Sequence, residues 1–371
     1  MKFSTSKKEL QQALQKLSKA SPTRSTLPIL ACTLIESTEE RTTLRSTDLE
    51  ITILVEIPVS LEEVGITALP LKTLLDITNE LPETRITLSV DEKDRATIST
   101  DMGEYDIMAK PSEEFPELPK SEEDPKSLMV PGKVFKEIID ATSFAVSRDE
   151  LKPALTGVFF QFNEQGITAV STDGHRLVKY SRKDQGVSGF SGQLIVPKKF
   201  LTYMSSHLSS QDVELIVSQT HLTAKLGEDQ VLTRIIDERF PDYETVIPKE
   251  NDKTLTADKE AILGAIRRVS IFSNKSTHQV ALVLTNGGAK ITTEDPEKSS
   301  KAQESVAVEY DGGELTIGYN AEYLKDVISH VQGKSVVIEF SSPISAALFS
   351  TESSEEHVDS LMLLMPIRLN D

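Results

Sequence analysis

The chain has a single cysteine, Cys32, and no tryptophan. One thiol cannot close a disulfide within the chain, and it leaves no set of thiolates to hold a metal. Histidines are few: His175, His207, His221, His278, His330 and His357 are scattered without ligand spacing, so neither a metal nor a cofactor is expected. Basic side chains are in the minority, since 40 Lys+Arg against 58 Asp+Glu give 40 − 58 = −18. That balance argues for solubility and against indiscriminate adhesion to nucleic acid or anionic membrane, although a basic strip on one inner surface is invisible to an average. No apolar run reaches the length of a membrane span, and Met1-Lys2-Phe3 leads into Ser6-Lys7-Lys8-Glu9 rather than an apolar signal core. The expected compartment is the cytoplasm. Phosphate-loop, dinucleotide-binding and nucleophile-elbow motifs are missing too, as are paired histidines on a helix face.

What is present is a globular composition, 38% hydrophobic over 371 residues, a length that favours two or three domains. Ser6-Lys7-Lys8-Glu9 has the capping-box pattern and precedes Leu10, Ala13, Leu14 and Leu17 at helical spacing. Short strands are expected at 42–48, 65–69, 85–90, 95–99 and 104–109, with Pro70 opening a second helix that carries Leu74, Leu75 and Ile77. Phe115-Pro116 and the acidic stretch 117–126 then read as a linker.

The same order starts again after it. Pro131-Gly132 opens a helix with Val134, Phe135, Ile138 and Ile139, and the landmarks keep a constant step: Pro153 lies 153 − 28 = 125 residues after Pro28, Asp173 lies 173 − 48 = 125 after Asp48, and Phe240 lies 240 − 115 = 125 after Phe115. A third, fainter copy follows Asn251-Asp252-Lys253, with Ile262, Leu263, Ile266 and Val269 in its first helix, a turn at Asn286-Gly287-Gly288, and Asp295 near the repeat distance (295 − 173 = 122). Asn320 is placed to cap its second helix. Each copy therefore contributes two helices and several short strands, an α+β unit with antiparallel sheets. A repeat with unlike ends points to a head-to-tail assembly that closes.

One stretch looks chemical: Val170-Ser171-Thr172-Asp173-Gly174-His175-Arg176-Leu177. Asp173, His175 and Arg176 could serve an enzyme acting on nucleic acid or a phosphometabolite. Against that, Asp173 shares its place with Asp48, which favours a common turn, leaving Gly174-His175-Arg176 as the part peculiar to the second copy. A second thread is cationic. Lys7, Lys8, Lys16, Lys19, Lys72, Lys133, Lys136, Lys198-Lys199 and Arg267-Arg268 recur at the repeated helices, the pattern of a basic lining that would contact phosphates without reading sequence.

Taken in order, Met1-Lys2-Phe3, Thr26-Leu27-Pro28-Ile29-Leu30, Ser46-Thr47-Asp48-Leu49-Glu50, Thr172 to Leu177, Arg239-Phe240-Pro241-Asp242-Tyr243 and Met365-Pro366-Ile367-Arg368-Leu369 resemble the bacterial sliding clamps, the beta subunits of the replicative DNA polymerase III holoenzyme, over essentially the whole chain. The resemblance implies three clamp domains, 1–126, 127–252 and 253–371, and a head-to-tail homodimeric ring around duplex DNA with helices lining the hole. It also implies a non-catalytic subunit that tethers the replicative polymerase, is loaded by a clamp loader, serves other proteins bearing a clamp-binding motif, and works at the nucleoid in the cytoplasm, away from any membrane. By position, a peptide pocket would involve Leu155, Thr172, Gly174, His175, Arg176, Leu177, Pro241, Val246, Asn320, Tyr323, Leu363, Leu364, Met365, Pro366, Ile367 and Arg368, and DNA would face Arg24, Lys72, Arg148, Lys152, Lys198 and Lys199. Two features depart from the family: Pro153-Ala154 stands where some members carry an aromatic pair, and Asn370-Asp371 runs past the usual terminal leucine.

Overall fold

A computed structural model describes residues 1–22, 24–119, 125–352 and 356–369. Its residues gather into two compact units, 1–133 with 199–235 and 134–198 with 236–371. The fold is α+β, and every strand pairing is antiparallel.

In the first unit, helix α1 (Lys7–Leu17) starts where the sequence places it: Ser6 caps it by accepting from the Glu9 amide at 3.1 Å. Its apolar stripe, Leu10, Ala13, Leu14 and Leu17, is buried. Helix α2 (Leu71–Glu80) begins one residue after Pro70 and buries Leu71 and Leu74. Two sheets complete the unit. A five-stranded one runs in the order 60–63, 2–6, 85–90, 95–99, 104–108, and an eight-stranded one in the order 126–131, 212–217, 221–226, 229–234, 51–57, 42–47, 32–37, 65–70. Most of α4 (Lys198–His207) belongs here, burying Phe200, Leu201, Tyr203 and Met204.

The second unit holds most of α3 (Gly132–Thr142) together with α5 (Lys259–Ser270) and α6 (Ala321–His330). Asp258 caps α5 through the Ala261 amide, and Asn320 caps α6 through the amides of Glu322 and Tyr323. Its nine-stranded sheet has the order 192–197, 157–163, 166–172, 176–182, 358–364, 347–350, 335–340, 253–258, 308–310, and its four-stranded sheet the order 300–306, 288–295, 279–285, 315–320. Both long sheets are continuous across repeats, because strand 229–234 pairs with 51–57 and strand 358–364 pairs with 176–182.

In the last of these pairings register decides which face each side chain takes. Leu177 lies opposite Leu363 and Val178 opposite Met362. Side chains alternate along a strand, so Leu177 and Leu363 share the outer face, while Val178, Met362 and Leu364 enter the core beneath α5 and α6.

Candidate functional site

The turn between strands 166–172 and 176–182 is built by two side chains. Asp173 Oδ1 accepts from the amides of His175 (2.9 Å) and Arg176 (3.0 Å). Thr172 Oγ1 donates to the Arg176 carbonyl at 2.7 Å and accepts from the Gly174 amide at 3.1 Å. The first repeat makes the same turn with the same four bonds: Asp48 Oδ1 takes the Glu50 and Ile51 amides, and Thr47 Oγ1 serves Ile51 O and Leu49 N. Both turns need a left-handed residue after the aspartate, Gly174 at φ +88° and Leu49 at φ +76°. Asp173 is therefore turn chemistry. His175 Nδ1 lies 4.0 Å from Asp173 Oδ1, beyond a hydrogen bond, so no acid–base dyad forms.

Arg176 ties this turn to its surroundings. Its side chain is only 8% exposed; Nε donates to Asp173 Oδ2 at 3.1 Å, Nη1 to Asp326 Oδ2 at 2.8 Å, and Nη2 to the Phe144 carbonyl at 2.9 Å. Its guanidinium also sits over the rings of Phe144 and Tyr323, 5.2 and 4.8 Å from their centroids. Above it, His175 stacks with Tyr323 at 5.5 Å. Asn320, the cap of α6, reaches the Thr277 carbonyl at 3.5 Å. The tail comes back to the same place: Met365 donates its amide to His175 O, and Ile367 to Gly318 O, both at 2.8 Å. Only glycine admits the second contact, because a Cβ on residue 318 would lie 2.7 Å from the Ile367 oxygen.

Beside this polar rim lies an apolar floor on the outer face of the nine-stranded sheet. Phe159, Val170, Leu177, Ile195, Phe240, Tyr243, Ala346, Leu348 and Leu363 form one buried cluster, with Leu155, Ile236, Ile247 and Leu361 half-buried against it. Phe159 and Phe240 stack at 4.8 Å. Val246 (55% exposed), Ile344 (72%) and Met365 (42%) are among the apolar side chains of this unit that stay in solvent. Of the residues expected from sequence, Leu155, Leu177 and Leu363 meet on the floor, and Thr172, Gly174, His175, Arg176, Asn320, Tyr323, Met365 and Ile367 meet in the turn, cap and tail. Pro241 follows Phe240, and Pro366 and Arg368 belong to the tail. Leu364 does not join them, because strand alternation buries it in the inner core. Sequence reasoning missed Phe159, Tyr243, Ala346 and Leu348, which pack in the same cluster as Leu177 and Leu363.

The cations expected to face DNA divide between the units. In the first, Arg24 and Lys72 are exposed, and Lys199 is ion-paired with Asp48, the carboxylate of the first-repeat turn. In the second, Arg148 and Lys152 are exposed, the latter 3.9 Å from Asp149. Burial, with Arg148 and Arg176 close by, pushes the Lys198 ammonium below its ordinary pKa, and Asp326 opposes that shift.

Sequence models of the DNA polymerase III beta subunit match the chain three times over: the N-terminal domain at residues 1–119, the central domain at 129–242 and the C-terminal domain at 244–368. The chain belongs to this family. Beta sliding clamps similar to it include those of Pseudomonas aeruginosa, 32% identical over 375 residues, and Escherichia coli, 29% identical over 372 residues, each alignment covering 100% of both chains. Among solved structures, the polymerase III beta subunit of P. aeruginosa superposes with a TM-score of 0.92 at 30% identity, and the sliding clamp of Bacillus subtilis with 0.93 at 25%, again over 100% of both chains. As a beta subunit the chain is a DNA sliding clamp, a non-catalytic part of the replication machinery that partners DNA and polymerase and acts as a dimer. The enzymatic alternative built on Asp173, His175 and Arg176 finds no support, and the hydrogen bonds above give the reason: the carboxylate and guanidinium are both committed to the turn. No helix among the described residues is long and apolar enough to cross a membrane.

Proposed function

We propose that the outer face of the nine-stranded sheet is where this clamp receives short peptide segments of its partners, the polymerase, the clamp loader and other proteins with a clamp-binding motif. The observation that carries this reading is the floor formed by Leu155, Leu177, Phe240 and Leu363, with Val246, Ile344 and Met365 exposed and a rigid polar rim of His175, Asn320 and Tyr323. An apolar hollow with a few fixed polar groups anchors aliphatic side chains and orients a peptide. Thr172, Gly174 and Arg176 shape the rim, and Pro241, Pro366, Ile367 and Arg368 border it. A solved structure of the P. aeruginosa sliding clamp is bound to griselimycin, so a relative has a surface that takes up a ligand.

Domains 1–126, 127–252 and 253–371 follow from the three repeats. Arg24, Lys72, Arg148, Lys152, Lys198 and Lys199 are assigned to duplex phosphates, and the site of action to the cytoplasmic nucleoid. Two sheet edges support head-to-tail closure. Strand 104–108 is outermost in the five-stranded sheet, with Met102 and Met108 exposed near it, and strand 300–306 is outermost in the four-stranded sheet of the unit whose Ile271 and Phe272 are exposed. Edges left open invite pairing, and unlike edges pair heterologously. The test is retention on DNA together with an Ile344→Glu variant. Wild type is expected to stay on circular plasmid and to leave once the plasmid is linearised. Ile344→Glu should keep that retention while losing about tenfold or more in peptide affinity, the worth of burying one isoleucine. Equal retention on both DNA forms refutes encirclement, and unchanged peptide binding refutes the groove.

A further inference from the structure

A cleft in the first unit, about 620 Å3 in volume, is lined by Gln12, Gln15, Lys16, Ser18 and Lys19 from α1 and the segment after it, and by His207 at the end of α4. The His207 ring lies flat on Tyr203, with centroids 4.0 Å apart. Its Nδ1 is 2.8 Å from the Tyr203 carbonyl, an oxygen that only accepts, so neutral His207 carries its proton on Nδ1 and keeps a lone pair on Nε2. Among the described residues Nε2 has no hydrogen-bond partner. The charged and titratable groups around the ring are Lys16 from α1, Lys19 just after it, Asp229 from strand 229–234, which holds Lys16 at 2.5 Å, and Tyr203 on its own helix, whose hydroxyl is buried and held well above its ordinary pKa. Two lysines against one aspartate leave the cleft with a single net positive charge while His207 is neutral. A proton on Nε2 doubles it.

The second unit supplies an internal comparison. The step of 125 residues that relates α1 to α3 carries Lys16 to Ala141 (16 + 125) and Lys19 to Phe144 (19 + 125), and α6 ends in His330 as α4 ends in His207. His330 makes the same bond, Nδ1 to the carbonyl four residues earlier at 2.7 Å, but its ring stacks on Phe144 at 3.7 Å. The histidine that closes the helix is common to both places, and the lysines are not. Helix closure explains the shared bond, and it leaves the two cations beside His207 unexplained.

We propose that the Lys16–Lys19–His207 cleft binds a phosphodiester of the encircled nucleic acid, with His207 joining as a third cation once protonated. The inference rests on the DNA-encircling reading given above. It is tested on the full-length protein by following fluorescence anisotropy of a labelled duplex from 50 to 200 mM salt at pH 6 and pH 8. One further phosphate contact makes the loss of affinity over that range about 3.5-fold larger. Wild type should show this extra loss at pH 6. His207→Gln should show the pH 8 behaviour at both values, and His330→Gln should follow wild type. Lys19→Gln, which leaves the helix end intact, should lower the salt response at both pH values. A pH response that survives His207→Gln, or a Lys19→Gln variant with the wild-type salt response, overturns the proposal. Inorganic phosphate should displace the duplex no better than chloride of equal ionic strength; stronger displacement would reassign the cleft to a free anion and overturn the backbone assignment. Equal retention of wild type on circular and linear plasmid would instead defeat the encircling reading itself, whatever His207 does.

Discussion

Replacing Arg176 by alanine should open the turn it holds. The guanidinium is nearly buried and makes three charge-assisted hydrogen bonds, to Asp173, Asp326 and the Phe144 carbonyl. Removing one partner of such a buried set costs about 3–5 kcal/mol, because the groups left behind have lost their counter-charge. The lower end applies here: the Asp326 side chain is 51% exposed and regains water, whereas Asp173, at 12%, keeps only its two backbone amides. About 3 kcal/mol is roughly two powers of ten in a local equilibrium. Hydrogen exchange reads that quantity directly. The amides of His175 and residue 176, which donate to Asp173, and of Met365, which donates to His175, should exchange about a hundredfold faster. Those of Glu50 and Ile51, in the matching first-repeat turn, should not change, because Asp48 is neutralised by Lys199 instead. Asp326→Asn should produce a much smaller effect. If the second-repeat amides keep their protection, or both turns loosen equally, Arg176 is not the brace described here.

Lys198→Met should raise thermal stability at neutral pH and weaken binding to duplex DNA. A lysine whose folded pKa lies below its ordinary value costs stability wherever it is protonated, and the cost fades only as pH rises into the lysine range, so the gain in melting temperature should shrink in strong alkali. Gly174→Ala should destabilise by about 1 kcal/mol, read by chemical denaturation; a Cβ there meets no atom within 4 Å, so the whole effect comes from the positive φ. Deleting residues 365–371 should abolish peptide binding while circular dichroism and the thermal transition persist, since the tail's backbone docks through two amides and its exposed Met365 lies outside the core; a collapsed transition would show the tail to be part of the core.

Much of this was legible in the sequence, for reasons that are local. A capping residue followed by apolar side chains at helical spacing fixed α1 and α6, and the constant step from Asp48 to Asp173 announced two copies of one turn. What escaped was decided at a distance. Leu361-Met362-Leu363-Leu364 is unbroken apolar sequence, so its parity is invisible until Leu363 is seen opposite Leu177. Lys199 reads as a free surface cation until Asp48, 151 positions away, is found beside it. The apolar floor draws Phe159, Tyr243 and Leu348 from separate segments, each of which reads alone as ordinary core.

The three repeats differ most tellingly at the residue after the turn aspartate. The pairing of Ala281 with Thr292 matches that of Phe159 with Val170 after a shift of 122 (281 − 159 and 292 − 170), which places Asp295 on Asp173 and Pro296 on Gly174. Proline is confined to φ near −65° and cannot take the left-handed conformation this turn demands. The third hairpin accordingly bends through a short 3-10 helix, Pro296–Lys298, and moves its left-handed residue to Ser299 at φ +49°. Asp295 is left buried with Oδ2 unbonded, the nearest cation being Lys298 at 3.7 Å. In the first repeat the position is filled by Leu49, strained at φ +76° and exposed, where Ile51 stands in place of Arg176. Only the second repeat combines an unstrained glycine with an arginine able to fix the turn to α6. The copy with the least backbone strain and the most braces thus borders the apolar floor, and a wall that does not move is what the proposed peptide site requires.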